Sequence, residues 1–225
     1  MTTRPGWDLM APRILIVCTA NVCRSPYAAD KLRTSLSADP STAALEFIVE
    51  SAGTHAVDDQ SYCQMATKRI GEQHQGVSRH LESVDLGTFD LILTMSRNQR
   101  GEIVRLAPQL RSRIYTLVEV SRQAYGITQD GQALDVARGK SRPKDTGHSR
   151  QHVELLPSGN QDRWNWLLEE MNAWRGFFAG GVARHQSLDV NDPHIVSKDI
   201  HDDTFEIIDE AIAAFVKALS ATLNA

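Results

Sequence analysis

The chain has 225 residues, of which 41% are hydrophobic and 23% charged, and this composition is typical of a soluble globular protein. Its formal net charge of −4 leaves no basic footprint, so we do not expect nucleic acid as a partner. No apolar run approaches the roughly 18 residues of a membrane span, which argues against insertion into a membrane.

The cysteine content indicates the cellular compartment. Three cysteines, an odd number, fit a reducing compartment and catalytic or redox use better than a disulfide framework. The N-terminus lacks the apolar core of a signal peptide, and residues 1–11 are expected to form a loose leader. We therefore predict a cytoplasmic protein.

The first predicted element is a buried strand over residues 13–18, built on the apolar run Ile14-Leu15-Ile16-Val17. A tight loop follows, and Ser25 as N-cap with Pro26 as first helical residue predicts a helix from Pro26 to about Ser37. We expect its inner face to carry Ala28, Ala29, Leu32 and Leu36.

The loop between this strand and helix carries chemically active groups. Backbone N–H groups at a helix N-terminus can bind an anion. Cys18 supplies a thiol, and Arg24 a guanidinium that can hold two phosphate oxygens. The pattern indicates nucleophilic attack by the thiol on a bound phosphoryl group.

Three further strands are predicted, at 46–49 running into Ser51-Ala52-Gly53-Thr54, at 89–95 and at 113–118. The helices between them are predicted at about 61–73 and at 97–107, where Pro108 ends the second. Alternating strands and helices favour an α/β fold with a parallel sheet covered on both faces. In such sheets the ligand lies at the carboxyl ends of the strands, where the first loop would be.

Residues 119–187 divide into two halves. The first, through 138–144, is polar and basic, and is either a solvated loop or a docking surface for an acidic or phosphorylated partner. The second carries an apolar stripe at helical spacing, which we expect to fold back on the main domain or on a second copy; a partner protein is the alternative. Gly180-Gly181 then predicts a turn or hinge. The stripe consists of Trp164, Leu167, Leu168, Met171, Trp174 and Phe178.

A final amphipathic helix is predicted from about Asp202 to Leu223, and Asp192-Pro193 precedes it. Its inward positions are Phe205, Ile208, Ile212, Phe215 and Leu219.

Four of these segments together resemble the low-molecular-weight protein tyrosine phosphatases. The loop Cys18-Thr19-Ala20-Asn21-Val22-Cys23-Arg24-Ser25 is similar to the family's Cys-x4-Cys-Arg-Ser signature. Ser51-Ala52-Gly53-Thr54, Phe89-Asp90-Leu91-Ile92-Leu93-Thr94-Met95 and Asp192-Pro193 match further family segments in order. The resemblance implies a four-stranded parallel sheet of flavodoxin-like type, strand order 2-1-3-4. It covers 12–118 and 188–223, so 119–187 would be an insertion within a single phosphatase-like domain.

The predicted reaction has two steps. Cys18 would attack phosphorus to give a phosphocysteine, aided by the helix dipole, Arg24 and the Ser25 hydroxyl. Backbone N–H groups from Thr19 to Arg24 would bind the phosphate oxygens. Asp192, in the position of the family's general acid, would protonate the leaving oxygen and then activate water. Asp189, three residues earlier, is a competing acid that does not match the family's Asp-Pro pair.

Other side chains have two interpretations or a structural one. Cys23 is either a small buried residue or, as the resemblance implies, a redox partner that forms a reversible disulfide with Cys18. Asn21 is expected to hold the loop in a left-handed turn, Cys63 to be a packing residue, and His194 to line the active-site mouth.

No metal site or cofactor is expected. His148 and His152 have a metal-ligand spacing, but no third ligand converges on them in the sequence.

The leading hypothesis is a cysteine-dependent phosphomonoesterase, a protein-tyrosine-phosphatase acting on phosphotyrosine proteins or small aryl phosphates. Two alternatives remain open: an arsenate reductase that uses an external thiol, and a non-catalytic phosphoprotein-binding module. A homodimer through the insertion is a further arrangement that the apolar stripe allows.

Overall fold

We describe residues 11–71, 76–129, 156–173, 175, 187–196 and 200–225 of a computed structural model. Within them a four-stranded, wholly parallel sheet has the order β2-β1-β3-β4, which confirms the predicted fold and strand order. The strands are β1 (Arg13–Cys18), β2 (Ile48–Gly53), β3 (Leu91–Thr94) and β4 (Ile114–Thr116).

The helices cover both faces of the sheet. They are α1 (Arg24–Ala38), α2 (Pro40–Ala43), α3 (Gln64–Ile70), α4 (Arg97–Leu106), α5 (Leu117–Gln129), α6 (Asn160–Ala173), α7 (Pro193–Val196) and α8 (His201–Leu223). Short 3₁₀ turns lie at Leu81–Ser83, Leu86–Thr88 and Pro108–Arg113.

The central strand β1 separates two hydrophobic layers, because successive side chains of a strand point to opposite faces. Ile14 and Ile16 belong to the larger layer, which is covered by α1, α5, α6 and α8. Leu15 and Val17 belong to the smaller layer, together with Ile103 of α4. All four β1 side chains are fully buried, as a strand covered on both faces requires.

The predicted helix faces are confirmed at both ends of the chain. Every predicted inward position of α1 and of α8 is buried. Helix α1 begins at Arg24, so the prediction of Ser25 as its N-cap was wrong. The Ser25 hydroxyl instead contacts the Cys18 thiol and is fully buried.

The fourth strand ends earlier than predicted. The apolar run at 114–118 predicts a strand through Val118, but helix α5 begins at Leu117. The Thr116 and Glu119 side chains each accept a hydrogen bond from the other's backbone N–H, at 3.1 Å in both cases. This reciprocal cap begins the helix and overrides the strand propensity of the apolar residues.

The second strand begins two residues later than predicted and continues through Gly53, and the third helix is shorter than predicted. Strand β2 begins at Ile48 because Glu46 lies in a turn with φ 51°. Helix α3 begins after Cys63, whose sulfur accepts a hydrogen bond from the Ala66 N–H, and ends at Gly71, where φ is 102°.

Part of the apolar stripe packs onto the main domain. Trp164, Leu167 and Met171 of α6 are fully buried in the larger layer, where α6 contacts α8. Just beyond α6, the Arg175 guanidinium lies 3.7 Å above the Tyr115 ring centroid. The other features predicted in this segment lie outside the described residues: the basic stretch 138–144, Trp174, Phe178 and Gly180-Gly181.

Among the helices described, none combines the length and the apolar character needed to cross a bilayer.

Candidate active site

The loop between β1 and α1 lies at the carboxyl end of the sheet, beside the ends of both neighbouring strands. Cys18 is paired with Gly53 of β2, and Val17 with Thr94 of β3. The loop's key side chains are almost completely enclosed: Cys18, Asn21, Arg24 and Ser25 are each at most 5% exposed. The parallel sheet therefore presents this loop where parallel folds bind their ligands.

The Cys18 sulfur points into the loop. It accepts a hydrogen bond from the Asn21 backbone N–H at 3.3 Å and lies 3.0 Å from the Ser25 hydroxyl oxygen. Both groups can donate to a sulfur that carries negative charge, and α1 begins six residues further along. Two hydrogen-bonding groups of the loop thus converge on the Cys18 sulfur.

Asn21 holds the loop in shape through its backbone and its side chain. Its φ of 54° is the left-handed conformation predicted from the sequence. The side-chain amide donates to the hydroxyls of Ser25 and Ser51, both at 2.9 Å. Its carbonyl oxygen accepts the Arg79 backbone N–H at 2.9 Å. One side chain thus joins the loop to β2 and to the segment after α3.

The end of β2 packs directly against the loop. The Thr54 N–H donates to the Cys18 carbonyl at 3.0 Å, and the His55 N–H to the Thr19 carbonyl at 2.9 Å. A Cβ atom on Gly53 would lie 2.5 Å from the Thr19 carbonyl oxygen, which is closer than atoms can approach. Glycine is therefore required at position 53 for the strand to meet the loop.

Gln99 supports the loop from the other side, and the sequence analysis did not identify it. Its side-chain N–H donates to the Thr19 hydroxyl at 2.9 Å, while its oxygen accepts the N–H groups of Met95 and Ser96 at 3.0 Å. Ser96 and Gln99 form a capping box at the start of α4. The S-x-x-Q pattern after the third strand was the available signal.

Arg24 and Asp192 are in direct contact although 168 residues separate them. One guanidinium nitrogen of Arg24 donates to the Val190 carbonyl at 3.0 Å, and the other pairs with the Asp192 carboxylate. The Val190 N–H donates to the Met95 carbonyl at 2.7 Å, which fixes this segment to the end of β3. The predicted acid therefore lies at the rim of the predicted phosphate loop.

Asp189 has a different partner. Its carboxylate accepts the Arg97 backbone N–H at 2.8 Å and pairs with the Arg97 guanidinium at 3.2 Å. It anchors the segment to the start of α4, away from Arg24. The structure thus separates the two candidate acids by their partners.

Beside the loop the structure brings together Cys23, Cys63, His194 and His201. The Cys63 N–H donates to the Val22 carbonyl at 2.6 Å, and this hydrogen bond brings the Cys63 thiol close to the Cys23 thiol. The hydrogen bond between the thiols lowers the pKa of Cys63 and, together with burial, raises the pKa of Cys23. Sequence analysis treated these residues separately, because nothing in their spacing joins them. His148 and His152 lie outside the described residues.

Comparisons with known proteins agree with this geometry. The sequence model of the low molecular weight phosphotyrosine protein phosphatases matches residues 13–148. A Klebsiella pneumoniae protein assigned to the low molecular weight protein-tyrosine-phosphatases is 36% identical over 108 residues, 46% of this chain and 69% of that one. A protein-arginine-phosphatase of Bacillus subtilis is 27% identical over 128 residues, 55% and 83% of the two chains.

A solved structure shares the fold. The low molecular weight protein tyrosine phosphatase from T. tengcongensis superposes with a TM-score of 0.55 at 18% identity, covering 92% of this chain and 98% of that one.

Proposed function

This chain belongs to the low molecular weight phosphotyrosine protein phosphatase family, and we propose that Cys18 is its nucleophile, Arg24 its phosphate clamp and Asp192 its general acid. The family makes the chain a cysteine-dependent phosphatase, a hydrolase of phosphate monoesters. The observation that carries the residue roles is the contact of Asp192 with Arg24, in the same loop whose Asn21 N–H donates to the Cys18 sulfur.

In the first step the Cys18 thiolate attacks phosphorus in line with the leaving oxygen, so that a P–S bond forms as the P–O bond breaks. Backbone N–H groups from Thr19 to Arg24, Ala20, Val22 and Cys23 included, bind the equatorial oxygens together with the guanidinium. When the phosphate binds Arg24, Asp192 leaves the guanidinium, takes up a proton from solvent and gives it to the leaving oxygen.

In the second step water attacks the phosphocysteine, and the Asp192 carboxylate takes a proton from it. The P–S bond breaks, inorganic phosphate is released and the Cys18 thiolate is regenerated. The His194 backbone N–H donates to the Asp192 carboxylate at 3.1 Å, which helps to orient it for both transfers.

As substrate we propose phosphotyrosine in proteins, with small aryl phosphates as surrogates. His55 follows the contact of β2 with the loop, and its side chain is 67% exposed. The imidazole therefore flanks the loop and can stack on an aryl ring. The protein-arginine-phosphatase relative makes phosphoarginine the substrate to compare.

The remaining predictions stay proposals. We infer a single domain, because buried side chains of α6 share the main hydrophobic layer. The family-like segments at 12–118 and 188–223 and an insertion at 119–187 stay proposals from the sequence. From the sequence we also propose a homodimer through the insertion, a reversible Cys18–Cys23 disulfide and a cytoplasmic location. All three cysteines are free, which agrees with a reducing compartment. Neither arsenate reduction nor non-catalytic binding is supported by the matched relatives, which are named as phosphatases.

The proposal is tested with aryl phosphates whose leaving groups differ in basicity. We expect Cys18→Ser to abolish turnover and Asp192→Asn to lower kcat by about 10²–10⁴-fold for basic leaving groups, with a smaller effect for p-nitrophenol. Asp189→Asn is the matched control and should stay close to wild type, since the amide oxygen of Asn can still accept the Arg97 backbone N–H that anchors the segment.

Rapid quenching of the wild type should trap phosphate on Cys18. Turnover that survives in Cys18→Ser would remove the nucleophile from the mechanism. Equal losses in the two aspartate variants would remove Asp192 as the acid.

A further inference from the structure

Four side chains from four separate parts of the chain converge next to the phosphate loop. Cys23 precedes α1, Cys63 caps α3, His194 lies in α7 and His201 begins α8. Their sulfur and ring-nitrogen atoms all lie within 4.8 Å of one another. We propose that these four residues form a structural Zn²⁺ site.

The donor set matches zinc in kind and in number. Two thiolates and two imidazoles are a common four-ligand set for structural zinc, at about 2.3 Å from sulfur and 2.0–2.1 Å from nitrogen. Those bond lengths place tetrahedral ligand atoms about 3.3–3.8 Å apart, so the cluster needs to contract by about 1 Å. Soft sulfur with imidazole favours zinc over magnesium or calcium, which take oxygen ligands.

The local structure already supports metal binding at three of the ligands. The Cys63 sulfur accepts the Ala66 N–H at 3.4 Å, a hydrogen bond that would persist to a zinc-bound thiolate. The His194 and His201 rings lie edge to face with centroids 4.9 Å apart. Cys23 and His201 are 3% exposed, whereas His194 is exposed and leaves an entry path for the ion.

The charge balance also favours zinc. When Zn²⁺ binds, the two thiols release two protons to solvent, and two thiolates then cancel the charge of the ion. The neutral centre can be buried next to α1 without an unpaired charge. Because protein ligands fill all four positions, the ion has no open site for substrate and acts structurally.

The site would tie the acid segment to the phosphate loop. Cys23 is adjacent to Arg24, and His194 is two residues from Asp192. A zinc ion that binds both ligands therefore reinforces the contact between the proposed clamp and the proposed acid. It also holds the Cys23 sulfur, so that this thiol is withheld from a disulfide with Cys18 while zinc is bound.

For the test, the full-length protein is incubated with zinc chloride, and unbound metal is then removed by gel filtration. Elemental mass spectrometry should find about one zinc per chain. When Co²⁺ replaces zinc, the absorption spectrum should show thiolate-to-metal charge transfer and the d–d bands of a tetrahedral site. Cys63→Ser and His194→Ala should weaken zinc binding by more than about 100-fold, since changes in outer-shell groups alone cost about 10–100-fold. His194 is exposed, so its variant should fold even where another ligand variant does not.

Two control variants distinguish zinc binding at this site from binding by the Cys18 thiol and from binding by histidines outside the cluster. Cys18→Ser should keep its zinc although it loses phosphatase activity. The zinc measurement therefore tests the metal site even if the proposed catalytic mechanism is wrong. His80→Asn alters a partly exposed histidine outside the cluster and should also keep the metal. The proposal is overturned if the wild type holds no zinc, if the ligand variants bind zinc as tightly as wild type, or if Cys23 and Cys63 are joined as a disulfide that excludes the ion.

Discussion

Replacing Asn21 by glycine and, separately, by alanine separates the contribution of its side chain from that of its backbone conformation. Both variants lose three hydrogen bonds, to Ser25, Ser51 and the Arg79 backbone. Each is worth about 0.5–1.5 kcal/mol net, so Asn21→Gly should lower the free energy of unfolding by about 3 kcal/mol. Alanine must also adopt φ 54°, which should lower it by about 1 kcal/mol more.

The assay is urea unfolding followed by tryptophan fluorescence, with kcat/KM for an aryl phosphate measured on the same preparations. Because the loop carries the Cys18 sulfur, both variants should also lose activity, alanine more than glycine. The reasoning is refuted if the glycine variant unfolds within about 0.5 kcal/mol of wild type. It is also refuted if alanine is as stable and as active as glycine.

Three further changes test the surroundings of the loop. Gly53→Ala forces the loop carbonyl to move, and since a displacement of about 1 Å can cost about 10²-fold in rate, kcat/KM should fall by roughly that factor. For Glu50, burial alone would raise the pKa, but hydrogen bonds from Arg13 and Arg79 outweigh it and lower the pKa. The stabilisation is therefore present above the unfolded pKa and lost as pH falls through the folded one. In urea titrations Glu50→Gln should cost roughly 0.5 kcal/mol at pH 7, and this cost should shrink steadily as the pH is lowered below the unfolded pKa. Trp164→Ala should cost about 3–5 kcal/mol in the same assay, and a near-zero change would show that α6 does not contribute to the core.

The strand, loop and helix at the start of the chain could be predicted because their signals are local. A continuous apolar run indicates a strand buried on both faces, and the residues after it carry the anion-binding pattern in one stretch. The exact helix start could not be predicted from Ser25 and Pro26, because the Ser25 hydroxyl contacts the Cys18 thiol instead of capping the helix.

The boundary at residue 116 shows where local signals compete. Residues 114–118, rich in β-branched and aromatic side chains, favour a strand, while Thr116 and Glu119 carry a capping signature. Both patterns are visible in the sequence, and the hydrogen bonds of the cap decide between them. The capping box of Ser96 and Gln99, which places Gln99 against the loop, was also missed.

The sequence alone determined the four strands and the chemical groups available at the first loop, since both depend on neighbours along the chain. Only the tertiary structure decided that Asp192 meets Arg24 while Asp189 pairs with Arg97, because packing of this segment against β3 and α4 selects between them. The convergence of Cys23, Cys63, His194 and His201 is likewise a tertiary result. Their separation along the chain carries no periodicity, and they meet because the N-terminal ends of α1, α3, α7 and α8 come together beside the loop.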